Sequence, residues 1–272
     1  MWEDGRRALG TRAGDGDGRR PYDDFDAALA ASDSYSHADI VDLVARRTEA
    51  YRNALAEGSE RFVATRQTTQ NLFVLSHLPS ERPLDVLELG GACGGTFFEL
   101  DHLLPGRIRS WDVVEVAETA EAGRRRFQND RLKFFDDLDS AVRGRGSRDL
   151  VMTQGGLQCM PDPMATLDRL IELGCPWVYI SRFEVSDDLE RPIAVRLLDR
   201  LSSNGPGPIP RGLADRKTSY PVTFFPGETI RSRTSGSYRI EFSFSETEGR
   251  TKRIGSRTVT TNKAGFLLGR TV

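Results

Sequence analysis

The chain has 272 residues, of which 38% are hydrophobic and 29% charged, and its formal net charge at pH 7 is -2. This length and composition are typical of a globular protein with one sizeable α/β core and room for a smaller helical part. The nearly balanced charge gives no electrostatic reason to expect nucleic acid or an anionic membrane as a partner.

The three cysteines do not form a pattern of known chemistry. Cys93, Cys159 and Cys175 contain no CxxC pair and no histidine at zinc-ligand spacing, so we predict reduced thiols, no disulfide framework and no metal site. No apolar run approaches the roughly 20 residues that span a bilayer. The N-terminus also lacks the apolar core of a secretion signal. We therefore expect a cytoplasmic protein.

Changes in composition divide the chain into three predicted parts. Residues 1–20 are rich in Gly, Asp and Arg, with almost nothing apolar to bury, and are predicted to be a disordered tail. Residues 21–80 carry apolar residues at three- and four-residue steps, which predicts an N-terminal helical cap. Residues 81–272 form the predicted main domain, with a Gly- and Pro-rich loop or lid insertion around 202–226.

The main domain is predicted to contain a mostly parallel sheet, because a helix candidate closely follows each strand candidate. The strand candidates are residues 84–89, 110–115, 132–135, 150–153 and 177–182. Two later stretches, YRIEFSFSE and AGFLLGR, are predicted to complete the sheet as an antiparallel hairpin. The predicted fold class is therefore α/β with a Rossmann-like sheet.

A glycine-rich turn follows the first strand candidate directly, in DVLELGGACGGTFFEL. Gly90, Gly91 and Gly94 lack a Cβ, so backbone amides can approach a ligand closely, and the next helix points its N-terminus at the same place. Glu88 would repel a pyrophosphate but attract the ammonium of a methionine moiety. Ala92 breaks the G-x-G-x-x-G dinucleotide pattern. The turn therefore favours S-adenosylmethionine, with S-adenosylhomocysteine as product, over NAD.

Further cofactor-binding candidates follow the next strands, whose carboxyl ends share one edge of a doubly wound sheet. Glu115 ends the second strand and is predicted to accept hydrogen bonds from both ribose hydroxyls. Asp136 and Asp137 follow the third strand, where an acid could reach the adenine amino group while Phe135 flanks the ring; a helix N-cap is the alternative for these acids. Gln154 lies just past the fourth strand, near the predicted position of the transferable methyl.

Candidates for acceptor binding and catalysis are scattered along the chain. Methyl transfer from a sulfonium has a built-in leaving group, so positioning and desolvation can supply most of the catalysis. The catalytic candidates are His37, Tyr220 and Gln158. The substrate-binding candidates are Tyr35, Arg66, Arg182 and Glu184. Each has a structural alternative, because a lone histidine is usually structural and a charged pair at a strand end is usually a weak surface ion pair.

Five short pieces occur in a fixed order: ELGGACGG, DVVEV, LKFFDD, GLQCMPDP and TSYPVTFF. Together they resemble a family of sparsely characterised class I-like methyltransferases from polysaccharide and natural-product gene clusters, whose pattern is D-x-G-G-x-x-G, V-V-E, L-K-F, L-Q-Y-x-P-D-P and S-Y-P. The resemblance implies a methyltransferase sheet with an antiparallel last hairpin and N-terminal helices that cover the site. Glu88 replaces the usual Asp. Cys159 replaces a Tyr, so acceptor choice is expected to differ if that Tyr contacts the acceptor.

These patterns predict an S-adenosylmethionine-dependent methyltransferase that acts on N or O of a small-molecule acceptor, in secondary-metabolite or saccharide biosynthesis. Two alternatives stay open: a non-catalytic S-adenosylmethionine-binding or regulatory protein of the same fold, and an NAD-linked enzyme. No metal, nucleic acid or membrane is predicted as a partner. The sequence fixes neither the acceptor nor the oligomeric state, for which a homodimer is one option.

Overall fold

The structure is a computed structural model that describes residues 21–58, 64–143, 146–207, 215–254 and 256–271. The predicted disordered tail, residues 1–20, lies outside this part of the chain, as do residues 208–214 of the predicted insertion. Among the described helices, none combines the length and the apolar character that crossing a membrane requires.

The described residues form eight α-helices and ten β-strands. The helices are α1 (Phe25–Ala30), α2 (Ala38–Ala56), α3 (Arg66–His77), α4 (Gly95–Leu103), α5 (Ala117–Arg126), α6 (Leu138–Val142), α7 (Pro163–Glu172) and α8 (Thr229–Thr234). The strands are β1 (Pro21–Tyr22), β2 (Leu84–Leu89), β3 (Ile108–Val114), β4 (Leu132–Phe135), β5 (Leu150–Gln154), β6 (Trp177–Ser186), β7 (Ile193–Arg200), β8 (Lys217–Pro226), β9 (Tyr238–Ile254) and β10 (Arg257–Arg270).

The central sheet is mostly parallel, as predicted. Its strands run in the order β4-β3-β2-β5-β6, all parallel, and helices α4 to α7 connect them in sequence. Strand β10 then pairs antiparallel with β6, and β9 pairs antiparallel with β10. Strands β2, β3 and β5 are buried along most of their length, which is why their sequences are mostly apolar. The α/β fold class with an antiparallel last hairpin is confirmed.

The last hairpin is longer than its two apolar stretches predicted. Strand β9 has 17 residues and β10 has 14, so the charged segment between the apolar stretches belongs to the two strands rather than to a turn. Residues 258–261 alternate between exposed and buried. Such an alternation is expected of a strand that packs one face on the protein and exposes the other. The polar residues of the hairpin therefore fit within its strands.

An antiparallel pair of strands, β7 and β8, extends the sheet beyond β6 and was not predicted. Strand β8 pairs with β7 along its length and with β6 only at Phe225 and Pro226. The far end of the β9–β10 hairpin covers this pair, because Ile254 and Val259 pack with Tyr220 and the other apolar residues of β8. The SYP sequence inside the predicted insertion therefore lies in a regular strand.

Helix α7 shows how local sequence fixes the connections between strands. Its N-cap Asp162 accepts a hydrogen bond from the Ala165 amide at 2.9 Å, and Pro163 occupies the first turn. Such a cap satisfies an amide that would otherwise have no partner inside the helix.

Replacing the cap residue Asp162 by alanine is expected to lower the free energy of unfolding by about 1 kcal/mol. Urea denaturation followed by circular dichroism measures this change. Asp162→Asn keeps a capping side chain and should lower the stability much less. Equal stabilities for the two variants would contradict the capping role.

Candidate functional site

A cavity of about 740 Å³ lies at the carboxyl ends of β2 and β5. This volume is within the range of about 300–1,000 Å³ that small-molecule sites occupy. The turn after β2 and the start of α4 form one side of it, α2 and α3 line a second side, and residues 203–207 line a third. Five of the predicted site residues line the cavity: Glu88, Gly90, Gly91, Gln154 and Arg182.

The turn between β2 and α4 has an unusual backbone. Gly90, Ala92 and Gly94 have φ angles of 75°, 51° and 80°, which is the left-handed region where glycine is the normal residue. Gly94 is the N-cap of α4 and provides no side chain to cap the first amides of the helix. No described side chain caps the first amides of α4, which begins beside the cavity.

Glu88 is a buried carboxylate on the cavity wall, with 1% of its surface exposed. It accepts hydrogen bonds from Trp111 Nε1 at 2.9 Å and Gln154 Nε2 at 3.1 Å, and no ion pair joins it to any described lysine or arginine. Burial raises the pKa of Glu88 to about 7. A Cβ on Gly91 would lie 2.6 Å from Glu88 Oε2, so only glycine leaves this carboxylate in place. A cation in the cavity would offset its desolvation.

Gln154 carries a second hydrogen-bond acceptor at the same wall. Its Nε2 donates to Glu88 and lies 3.3 Å from Thr96 Oγ1, while its Oε1 is buried without a hydrogen-bond partner in the described structure. Unsatisfied buried acceptors are uncommon and costly. A donor group on a ligand in the cavity would satisfy this oxygen.

Glu115 lies just behind the glycine turn rather than on the cavity wall. Its Oε1 accepts the Ala92 amide at 2.9 Å and its Oε2 accepts the Val116 amide at 3.0 Å. Burial raises the pKa of Glu115, an effect that these two amides partly offset. Each carboxylate oxygen keeps room for a second hydrogen bond, so Glu115 can still receive hydroxyl donors.

The three residues predicted to contact adenine lie outside the cavity. Asp137 is the N-cap of α6 and accepts the Ser140 amide at 2.7 Å, which matches the alternative stated for it. Asp136 lies 3.6 Å from Arg124 in an exposed ion pair. Phe135 is half-buried against the apolar cluster under β2 and β3. An adenine contact for these residues stays a prediction.

Tyr35, predicted to bind substrate, and Tyr220, predicted to be catalytic, contact each other. Their ring centroids are 4.7 Å apart; the Tyr35 hydroxyl lies 3.4 Å from Cys159 Sγ, and the Tyr220 hydroxyl donates to Asp199 at 2.8 Å. Burial raises the pKa of both tyrosines well above the usual range, and the charge of Arg182 offsets part of the rise. Arg182 is therefore near enough to this tyrosine pair to act on it electrostatically, and it also lines the cavity.

The backbone of β6 is irregular where it carries Arg182. Arg182 has a φ of 57°, and the pairing of β6 with β10 shifts register at the same place. A side chain held in the left-handed region at a bulge is often directed by the fold toward a functional site.

Two polar residues predicted for the site are exposed and are not among the residues that line the cavity. His37 is the N-cap of α2, where its Nδ1 accepts the Asp39 amide at 3.3 Å. Arg66 is the first residue of α3 and is exposed. Catalysis by His37 and substrate binding by Arg66 stay predictions.

Two more of the predicted residues are buried in structural contacts. Gln158 Oε1 accepts the Glu184 amide at 2.8 Å. The Glu184 carboxylate pairs with Lys252 at 2.7 Å and with Lys263 at 3.6 Å. Neither residue lines the cavity, so their predicted roles also stay untested.

Sequence reasoning missed the polar residues that the N-terminal helices bring to the cavity. Arg47 and Tyr51 line it from α2, and Glu99 lines it from α4. The Tyr51 hydroxyl donates to Glu99 Oε1 at 2.6 Å, and Thr68 donates to the same oxygen at 2.8 Å. The sequence did contain one sign of this wall of the cavity, because Arg47 interrupts the apolar stripe of α2. Among the described residues, no group of His, Cys, Asp and Glu is arranged to hold a metal ion.

Comparisons with known proteins support the fold but not a family. No protein-family model matches the chain, and a search of curated proteins finds no relative. The crystal structure of the [4+2]-cyclase SpnF matches with a TM-score of 0.50 and 11% identity, over 94% of this chain and 99% of that chain.

Methyltransferase structures match less closely. A 1,6-didemethyltoxoflavin-N1-methyltransferase from Burkholderia thailandensis, with bound 1,6-didemethyltoxoflavin and S-adenosylhomocysteine, has a TM-score of 0.46 and 15% identity over 83% of this chain and 87% of that chain. An S-adenosylmethionine-dependent methyltransferase from Aquifex aeolicus has a TM-score of 0.41 and 11% identity over 80% and 97%. The strand order and the match to SpnF show a Rossmann-like α/β fold.

Proposed function

We propose that this protein is a methyltransferase that uses S-adenosylmethionine and acts on a small-molecule acceptor. One observation carries the proposal: Glu88, a buried carboxylate with a raised pKa, lines the cavity directly beside the glycine turn. A buried acid of this kind favours a cationic ligand. S-adenosylmethionine is a cation at both its ammonium and its sulfonium.

The cavity chemistry fits this cofactor better than a dinucleotide. Glu88 would hold the ammonium of the methionine moiety, and the unsatisfied Gln154 Oε1 would take one of its N–H donors. Glu115 would receive the ribose hydroxyls through the second lone pairs of its oxygens. A pyrophosphate in the same turn would face the charge of Glu88, which disfavours NAD.

S-adenosylmethionine, when bound, supplies an activated methyl group whose leaving group needs no protonation. The chain then has to orient the reactants and exclude water. Helices α2 and α3 close the cavity on the side opposite the glycine turn. Arg182 lines the cavity and acts electrostatically on the pair Tyr35–Tyr220, and we propose that the acceptor approaches from its side.

No histidine is among the residues that line the cavity in the described structure. Positioning therefore accounts for the catalysis in this proposal, with no assigned general base. Methylation at N and at O both remain compatible with it. Secondary-metabolite or saccharide biosynthesis is the context that the sequence resemblance suggests.

Calorimetric titration tests the cofactor. We expect micromolar binding of S-adenosylmethionine, no binding of NAD, and at least a roughly tenfold weaker affinity in Glu115→Ala, because the ribose loses charge-assisted hydrogen bonds. Glu118→Ala, which removes an exposed acid of α5, is the matched control and should bind normally. Binding of NAD in place of S-adenosylmethionine would contradict the proposal.

Turnover needs a separate test, because a protein that shares the fold, SpnF, is described as a cyclase and fold does not fix the reaction. Radiolabelled methyl transfer to panels of small amines and small hydroxyl compounds would measure it. Transfer to either panel supports the enzyme and identifies the acceptor atom. Tight cofactor binding without transfer to any compound would favour the non-catalytic alternative.

A further inference from the structure

Arg47 makes an unusual set of contacts at the cavity. It lies in α2 with 6% of its surface exposed, and its guanidinium donates to four backbone carbonyls of one short segment. Nε donates to Pro206 at 2.9 Å, Nη1 to Ser202 at 2.7 Å and to Asn204 at 2.5 Å, and Nη2 to Gly207. We call residues 202–207 the covering segment. Four of the five N–H donors of Arg47 are thus directed at it.

No carboxylate of the described chain forms an ion pair with Arg47. Burial lowers the pKa of Arg47, which the charge of Asp215 partly offsets. A buried guanidinium without an anion is costly unless dipoles satisfy it, and here the carbonyls of the covering segment do so. If the segment moved away, Arg47 would lose these acceptors together. The contact therefore stabilises one arrangement of the segment.

The covering segment lies against the part of the site where the glycine turn enters α4. A Cβ on Gly95 would lie 3.1 Å from the Pro206 ring, and both residues line the cavity. Its first two residues end a 3-10 turn, Leu201–Ser203, and the rest is neither helix nor strand, with φ angles of 81° at Gly205 and 68° at Gly207. Its removal would open the cavity above the start of α4.

The base of the covering segment is attached separately. Asp215 accepts the Ser202 amide and hydroxyl, each at 3.0 Å, and pairs with Arg200 at 2.7 Å. The Asn204 amide donates to Leu201 within the same turn. Arg47 is therefore the side chain that joins the segment to the helical wall of the cavity in the described structure.

We propose that Arg47 is a positioning residue that holds the covering segment closed over the cavity and thereby slows release of the bound cofactor. The part of the inference that concerns the cofactor rests on the proposed function. A ligand enclosed between regular helices and a sheet leaves most easily through the wall with the fewest attachments, and in the described structure Arg47 joins this wall to α2. Arg47 itself performs no chemical step.

Hydrogen exchange of the ligand-free protein tests the first half of the inference. The Asn204 amide is hydrogen-bonded in the closed segment, and the Asn204 carbonyl accepts from Arg47. In Arg47→Met this amide should exchange at least about tenfold faster, because the segment opens more often. The Ser202 amide, which donates to Asp215, should keep its protection. Arg47→Lys, with three donors on a single nitrogen, should give an intermediate rate. Unchanged protection of the amides of α2 would show that the helix is intact.

Arg46→Met is the matched control. Arg46 is the neighbouring arginine of α2, its side chain is 40% exposed, and it lies 3.7 Å from Asp42. It makes no contact with the covering segment that would protect the Asn204 amide. We expect wild-type exchange in this variant.

Release of S-adenosylhomocysteine, followed by stopped-flow fluorescence of Trp111 beside Glu88, tests the second half. We expect at least about tenfold faster release from Arg47→Met and an unchanged rate from Arg46→Met. Unchanged exchange in Arg47→Met would overturn the inference, as would faster exchange with unchanged release. If the unsubstituted protein binds no S-adenosylhomocysteine, the proposed function fails, and the exchange rates alone decide whether Arg47 holds the segment.

Discussion

Glu88→Gln is expected to weaken S-adenosylmethionine binding about 30-fold at pH 7, because a hydrogen bond to a charged partner contributes roughly 1.5–3 kcal/mol. The amide keeps the size of the side chain and its contact with Trp111 but removes the negative charge. Calorimetry measures the change. The exposed acid Glu121 of α5 provides the control, and Glu121→Gln should leave the affinity unchanged. Equal affinities for wild type and Glu88→Gln would contradict the assigned ammonium site.

The pKa of Glu88 adds a pH dependence to the same prediction. Its value of about 7 in the ligand-free protein lies above the ordinary 4.5. The folded state therefore favours protonated Glu88, and this contribution to stability is lost as the pH rises through about 7. A cationic ligand binds the ionised form. Affinity should therefore rise about tenfold from pH 5.5 to pH 7, and Glu88→Gln should remove most of this rise.

Arg148→Met is expected to lower the free energy of unfolding by about 3–5 kcal/mol, because it removes a buried cation that pairs with the buried carboxylate of Asp112. Asp112 lies in β3 with 0% of its surface exposed, and Arg148, 7% exposed, pairs with it. Arg148 also donates to the carbonyls of Ala141 at 3.2 Å and Gly146 at 2.9 Å. Urea denaturation followed by tryptophan fluorescence measures the loss.

The double variant Asp112→Asn, Arg148→Met separates charge from packing. Without the carboxylate there is no uncompensated buried charge, so the double variant should be more stable than Arg148→Met alone. If the loss in free energy of unfolding in the double variant equals the sum of the losses in the two single variants, the ion pair contributes through packing rather than charge.

The central strands were predictable because their sequences carry a strong local signal. Strand β2 has the predicted bounds, since an apolar run buried on both faces ends at Gly90 and Gly91. Strands β7 and β8 were not predicted. Pro221 argues against a strand, but it lies in β8 where only β7 is paired, because β6 meets β8 further along at Phe225. Whether a strand can hold this proline depends on how the sheet is paired, and the local sequence carries no signal of that pairing.

The site residues were predictable only where a polar side chain lies at or just after the end of a strand. Glu88, Gln154 and Arg182 each stand at or near the end of a parallel strand, and the topology brings such ends together. Arg47 was not found, because its partners lie about 160 residues away in a segment without regular structure. The lone His37 carries no periodic or spacing signal, so its role could not be derived from sequence.

The hydrogen bond from the Ala92 amide to Glu115 has a thermodynamic consequence. It fixes the glycine turn to the end of β3 before any ligand arrives, so the backbone entropy of this turn has already been lost on folding. Binding then orders little of the chain. Binding should therefore be accompanied by a small heat-capacity change, close to that of the apolar surface which the ligand itself covers.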